Sequence, residues 1–211
     1  ISSGLVGSEM CIRDSNATWK LGINGINRDA EFALNEYMPD DRQKKFSIVL
    51  QPWKHDGDYV LVCGQHGASE QWRNMPDINT YYKQTVEQIR QVTDKPIVIR
   101  SHPRYPEQHQ FEGVTWNRPL HVQETYDDFD LDIMLANAYF TVSHSSNPGI
   151  HSIIAGVPAV VSEHSLAWDV STSMSKWLSK PYRHQWLNRI TYTEWFADEI
   201  HIQWSRLRDY I

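Results

Sequence analysis

Long apolar runs are absent from this 211-residue chain. No stretch approaches the roughly 18 apolar residues that a membrane-crossing helix needs, so no transmembrane segment is expected. Cysteine is scarce: Cys11 and Cys63 are the only two. Two thiols do not make a disulfide framework, and a reducing cytoplasm is the expected location. A basic excess is missing too. Lys and Arg number 20 against 26 Asp and Glu, for a net charge of −6. That balance carries no global signature for nucleic acid. The chain also lacks Gly-x-Gly-x-x-Gly, the Walker loop and the Gly-x-Ser-x-Gly elbow. Dinucleotide oxidoreduction, P-loop hydrolysis and esterase chemistry are thereby disfavoured.

The segment Leu5 to Ser15 resembles a peptide that recurs at the ends of metagenome-derived reading frames, where adaptor DNA has been translated. Residues 1–15 are therefore expected to be a translation artefact, with native sequence missing before them. Residues 16–55 read as a remnant of an N-terminal domain plus linker, with a short helix over Asp29 to Tyr37. Residues 56–165 carry the regular pattern of the main domain. Residues 166–211 read as a helical extension in which Trp168, Trp177, Trp186, Trp195 and Trp204 pack helices together.

Within the main domain, Tyr59 to Cys63 is a continuous apolar run, and Pro96 to Arg100 and Ala138 to Val142 read as further buried strands. Such runs suit strands buried on both faces. Gly113 to Trp116 and Pro158 to Val161 add shorter strands, and helices are expected over Ile78 to Thr93, Phe129 to Asn137 and Ile150 to Ala155. The alternation predicts an α/β fold, a mainly parallel Rossmann-like sheet with flanking helices. Ligands of such sheets bind at the carboxyl ends of the strands. The polar loops at Gly64-Gln65, Ser101 to Arg104 and Ser143 to Asn147 each follow a strand and converge on that edge.

The last of these loops, Ser143-His144-Ser145-Ser146-Asn147, is the strongest candidate site. Asn147 suits an N-cap and Pro148 the first helical position. Serine hydroxyls around a helix N-terminus hold phosphate well, although simple capping explains the same residues. Arg100, His102 and Arg104 place two guanidiniums and an imidazole past a strand, with Pro103 fixing the turn. Such groups match phosphate oxygens; the plain alternative is a solvated surface turn. His144 and His151 lack metal-ligand spacing, and no metal is expected. Glu124, Asp127, Asp128, Asp130 and Asp132 read as a solvated loop and helix start. Glu163 follows the last strand and could bind a sugar or ribose hydroxyl.

Taken together, three segments resemble the C-terminal, donor-binding half of GT-B glycosyltransferases over roughly residues 59–170. They are a strand ending in Gly64-Gln65, a strand ending in His102-Pro103, and Ser145-Ser146 ahead of a helix with Ala155-Gly156-Val157-Pro158. The similarity is greatest to bacterial capsular polysaccharide and sialyl- or Kdo-type transferases, whose His-Pro and Ser-Ser motifs bind the nucleotide of a CMP-sugar. By position, His102 and Pro103 match the first motif, and Ser145 and Ser146 the second. The Trp-rich end resembles phage-encoded and environmental bacterial proteins of this type.

The resemblance implies sugar transfer from a nucleotide-sugar donor, CMP-sugar ahead of UDP-sugar, to a hydroxyl acceptor such as a surface or capsular glycan. It implies no cofactor beyond that donor. Nucleotide-sugar contacts are expected from Gln65, Arg100, His102, Pro103, Arg104, His144, Ser145, Ser146, Asn147 and Glu163. Related transferases take their acid or base from an Asp/Glu-rich motif in the first domain. Asp40-Asp41 and Asp56-Gly57-Asp58 match it poorly, so the catalytic group is unassigned. A phage-type transferase acting on DNA bases and a non-catalytic nucleotide- or glycan-binding fragment are the alternatives.

Overall fold

The computed structural model describes residues 10–13, 16–69, 72, 74–105, 112–123, 129–177 and 179–210. Residues 1–9, 14 and 15 of the expected artefact lie outside them, as do Glu124, Asp127 and Asp128 of the acidic cluster. The elements in chain order are β1 (Met10–Arg13), β2 (Asn16–Lys20), α1 (Asp41–Lys45), β3 (Tyr59–Cys63), α2 (Ile78–Arg90), β4 (Ile97–Arg100) and β5 (Thr115–Asn117). They continue with α3 (Leu131–Asn137), β6 (Ala138–Val142), α4 (Pro148–Ile154), β7 (Ala159–Val160), α5 (His184–Thr191), β8 (Glu194–Phe196) and α6 (Ile200–Leu207).

The chain divides into two compact units, one spanning residues 50–120 and 129–181, the other built from the two ends and the short 121–128 stretch. The first holds a five-stranded sheet in the order β5-β4-β3-β6-β7, parallel throughout. Its central strands are buried and mostly apolar because both faces are covered, with Arg100 of β4 and Thr141 of β6 as polar exceptions. Val60, Val62, Ile97, Ile99, Phe140 and Val142 pack on one face with Tyr82 and Ile89 of α2. Leu61, Cys63 and Val98 pack on the other with Leu135 of α3. Each fully buried Val, Leu or Ile of this kind contributes about 1.5–3 kcal/mol. Burial pushes the Cys63 thiol up to about 12, so it is a core side chain rather than a nucleophile.

Local chemistry sets the element ends. Asp77 caps α2 by accepting from the Asn79 and Thr80 N–H groups at 3.1 Å each. Gly156, at φ +78°, ends the α4 segment in the left-handed region that glycine tolerates, and a β-carbon there would lie 2.0 Å from the Pro52 carbonyl oxygen. Helix α4 begins at Pro148, the first helical position expected from its proline, two residues ahead of the apolar run that starts at Ile150.

The other unit pairs β2 with β1 and with β8, antiparallel in both cases, so residues near the two ends of the chain share one sheet. The segmentation expected from sequence therefore changes. Residues 16–49 and 182–210 belong to one unit, while 166–181 pack with the five-stranded sheet. No helix forms over Asp29 to Tyr37; Ile23 and Glu31 instead exchange backbone hydrogen bonds of 2.9 and 3.0 Å. The tryptophans are not uniformly helix-packing. Trp195 lies on strand β8 opposite Trp19, and Trp177 stacks on Phe140 of β6 at 5.0 Å. Trp186 is buried on α5, while Trp168 and Trp204 are exposed.

Arg42 anchors this second unit. Its guanidinium lies 3.9 Å from the Trp195 ring centroid and 3.2 Å from the Glu199 carboxylate, and its Nε donates to the Thr191 carbonyl. Burial alone would raise the Glu199 carboxyl, but hydrogen bonds from Arg42 and Lys45 hold it below the usual value. No helix among the described residues is long and apolar enough to cross a membrane.

Candidate functional site

Strand order places the site. β3 and β6 are neighbours, but the chain leaves β3 towards β4 on one side and leaves β6 towards β7 on the other. The loops after them part company there, and at such a switch point open α/β sheets bind their ligands.

The loop after β3 lies directly on the loop after β4. Gly64 N–H donates to the Arg100 carbonyl at 2.8 Å. A β-carbon on Gly64 would sit 2.1 Å from Tyr82 Oη and 3.2 Å from the His102 nitrogen, so glycine is needed for this approach. Gln65 follows and is buried. His66 Nδ1 accepts from the Ala68 N–H at 3.2 Å. Its ring centroid lies 5.2 Å from that of His102 and 4.8 Å from that of Tyr105.

The loop after β4 is a tight turn. Tyr105 N–H donates to the His102 carbonyl at 3.1 Å, with Pro103 in the position that favours its fixed φ. His102 Nδ1 accepts from the Arg104 N–H at 3.2 Å. Pro103 and Arg104 are exposed. Arg100 departs from expectation. Its guanidinium is 5 % exposed and lies 2.8 Å from Asp130, with a further bond of 2.9 Å to Asn117 Oδ1. Alternation along β4 turns it away from the α2 face and towards Asp130, which precedes α3. It serves as an internal tie. Asp130, expected to be solvated, is the other half of that tie, and its carboxylate also accepts from the Leu120 N–H at 2.9 Å.

The loop after β6 is buried through Ser143, His144 and Ser145. Ser143 N–H donates to Val160 O and Ser162 N–H to His144 O, both at 3.0 Å, which joins this loop to the one after β7. Beneath it, Thr141 Oγ1 donates to Ser152 Oγ and Ser152 Oγ to the Pro148 carbonyl, fixing α4 on β6. The hydroxyl oxygens of Ser143, Ser145, Ser146 and Ser162 are buried and have no hydrogen-bond partner among the described residues. Buried hydroxyls are rarely left so, because each costs about 1–3 kcal/mol. Asn147 holds the N-cap position, but its backbone is helical and its side chain makes no cap bond. The expected capping explanation of this loop is therefore not the one realised.

His144 sits between Trp72 and His164, with ring centroids at 5.2 and 5.9 Å. Burial, with the nearby charge of His164 second, holds its imidazole below the ordinary value. Trp72 is itself pinned by a bond from Nε1 to the Pro76 carbonyl. Glu163 is exposed beside His164.

The strand-end loops thus gather Gln65, His102, His144, Ser145, Ser146 and Asn147, and leave Arg100 out. His66, His164, Trp72 and Ser162 were not singled out from sequence. One signal was available for two of them: a histidine follows each of β3, β4, β6 and β7 within four residues.

No protein-family model matches the chain, and comparison with curated proteins gives no match. Among solved structures it is similar to Thermosulfurimonas dismutans KpsC, a beta Kdo 2,7 transferase, with a TM-score of 0.54 at 12 % identity, over 92 % of this chain and 73 % of that one. A likeness also extends to the UDP-GlcNAc 2-epimerase of Methanocaldococcus jannaschii, with a TM-score of 0.38 at 14 % identity, over 72 % of this chain and 42 % of that one. The fold is α/β, a five-stranded parallel sheet with flanking helices that resembles one half of a GT-B structure.

Proposed function

We propose that this chain acts as a glycosyltransferase that takes its sugar from a nucleotide-sugar donor, CMP-sugar in the first place. The donor's phosphate would lie at the switch point between β3 and β6, held by Ser145, Ser146 and His102. The observation that carries this reading is the set of buried serine hydroxyls after β6 and β7 that have no partner among the described residues. The His102-Pro103 and Ser145-Ser146 matches favour a CMP-sugar, and the fold likeness to a Kdo transferase supports sugar transfer.

The chemistry follows from what such a donor requires. Breaking the anomeric carbon–oxygen bond leaves the bonding electrons, and so negative charge, on the nucleotide's phosphate. Hydrogen-bond donors already aimed at that position stabilise the developing charge without reorganising. Exposed Arg104 stands beside His102 and supplies a guanidinium to the same group. Glu163 has the chemistry to accept from a sugar or ribose hydroxyl. The acceptor is a hydroxyl of a surface or capsular glycan.

A thermal-shift series with CMP, UDP, GDP and TDP tests the donor site. A ligand at about 100 times its Kd stabilises the folded state by about 2.7 kcal/mol. CMP is expected to give the largest rise in Tm. No rise with any nucleotide would overturn the proposal.

A further inference from the structure

We infer that His66 is a second imidazole ligand of the donor's phosphate, acting beside His102; this rests on the nucleotide reading above. The two residues share one local device. In His66-Gly67-Ala68 and in His102-Pro103-Arg104, the ring Nδ1 accepts the backbone N–H two residues on, at 3.2 Å in both cases. A backbone N–H can only donate. Each Nδ1 is therefore without a proton, and the neutral ring carries its hydrogen on Nε2. In a histidine side chain Nε2 is the ring nitrogen farther from the main chain.

The pairing of the two rings is built into the fold. They come from successive parallel strands, β3 and β4, and meet edge to face with centroids 5.2 Å apart and planes at 73°. Gly64 allows the two loops to touch, since any side chain there would strike Tyr82 Oη. Tyr105, held to His102 by the turn, closes the other side of His66 at 4.8 Å. The result is a seated pair of imidazoles on adjacent loops at the carboxyl edge, each a neutral N–H donor. Such a pair suits an anion with several acceptor oxygens, as a phosphate has.

A purely structural histidine would use its Nδ1 and its ring packing, but not the Nε2 hydrogen. Asparagine supplies the same acceptor, because its Oδ1 makes an Asx-turn to the N–H two residues on. His66→Asn therefore keeps the turn and deletes the Nε2 hydrogen. Calorimetric titration with CMP and with cytidine reads the difference. For His66→Asn, CMP binding is expected to weaken roughly tenfold or more, the scale of one hydrogen bond to a charged group, with cytidine binding unchanged. His66→Gln, which carries an amide N–H close to the Nε2 position, is expected to recover part of the CMP affinity. Wild-type CMP affinity in His66→Asn would overturn the assignment, as would an equal loss for CMP and cytidine. Failure of the unmodified protein to bind any nucleotide would instead remove the nucleotide reading itself.

Discussion

The Arg100 guanidinium lies 2.8 Å from the Asp130 carboxylate, the first buried at 5 % exposure and the second partly buried at 12 %. The pair joins the end of β4 to the start of α3. Asp130→Ala leaves an uncompensated buried charge, which costs about 3–5 kcal/mol. Urea unfolding should show that loss. CMP affinity, measured where the variant is folded, should hold. A stable variant with weakened CMP binding would return Arg100 to the phosphate.

Gly64 and Tyr82 yield a second prediction. Gly64→Ala forces a β-carbon into the space of Tyr82 Oη, 2.1 Å away, and overpacking of this sort costs about 1–3 kcal/mol. Adding Tyr82→Phe removes the clashing oxygen, so the double variant should regain part of the lost stability. Strictly additive losses in denaturant unfolding would argue against the contact.

The Trp72–His144–His164 group gives a pH dependence. Burial and His164 hold the His144 imidazole below its unfolded value of 6.5. The unfolded chain then binds the proton more readily than the folded one. The contribution is complete above pH 6.5 and is lost as pH falls through that value towards the lower folded one. NMR titration of the His144 ring should give a midpoint below 6.5. His164→Gln should move it upward. An unmoved midpoint would show that His164 does not act on it.

Arg42 and Glu199 set an acid limit in the other unit. The Glu199 carboxyl lies below its usual 4.5 because Arg42 and Lys45 outweigh the effect of burial. Its stabilising contribution is present above pH 4.5 and disappears as pH falls through the still lower folded value. Glu199→Gln should flatten the acid branch of a stability–pH curve. It should also cost about 3–5 kcal/mol near neutrality, by stranding Arg42 in a buried site. An unchanged acid branch would contradict this.

How much of this was legible in the sequence follows from the range of each interaction. Strands β3 and β6 fall where their mostly apolar runs lie, because covering both faces of a sheet leaves few polar positions to blur the pattern. The convergence of the Gln65, His102 and Ser145 loops follows from the strand–helix alternation. The ion pair of Arg100 was not legible because its partner Asp130 is 30 positions away and reads locally as a solvated helix start. The pairing of β2 with β8 joins Trp19 to Trp195, and no short-range pattern encodes it. Asn147 is a good cap by residue type, yet its helical backbone keeps the side chain from capping. His66 was visible as a residue, but its seat against His102 and Tyr105 depends on two strands lying side by side.

The central claim is that the buried hydroxyls after β6 exist for a ligand. Calorimetric titration of CMP into the unmodified protein and into the Ser145→Ala/Ser146→Ala double variant, with urea unfolding of both, tests it most directly. Removing a buried hydroxyl that has no partner should leave stability equal or higher, because its desolvation cost disappears. CMP affinity should fall by roughly tenfold or more. A double variant that binds CMP like the unmodified protein, or that loses stability with its affinity intact, would contradict the account.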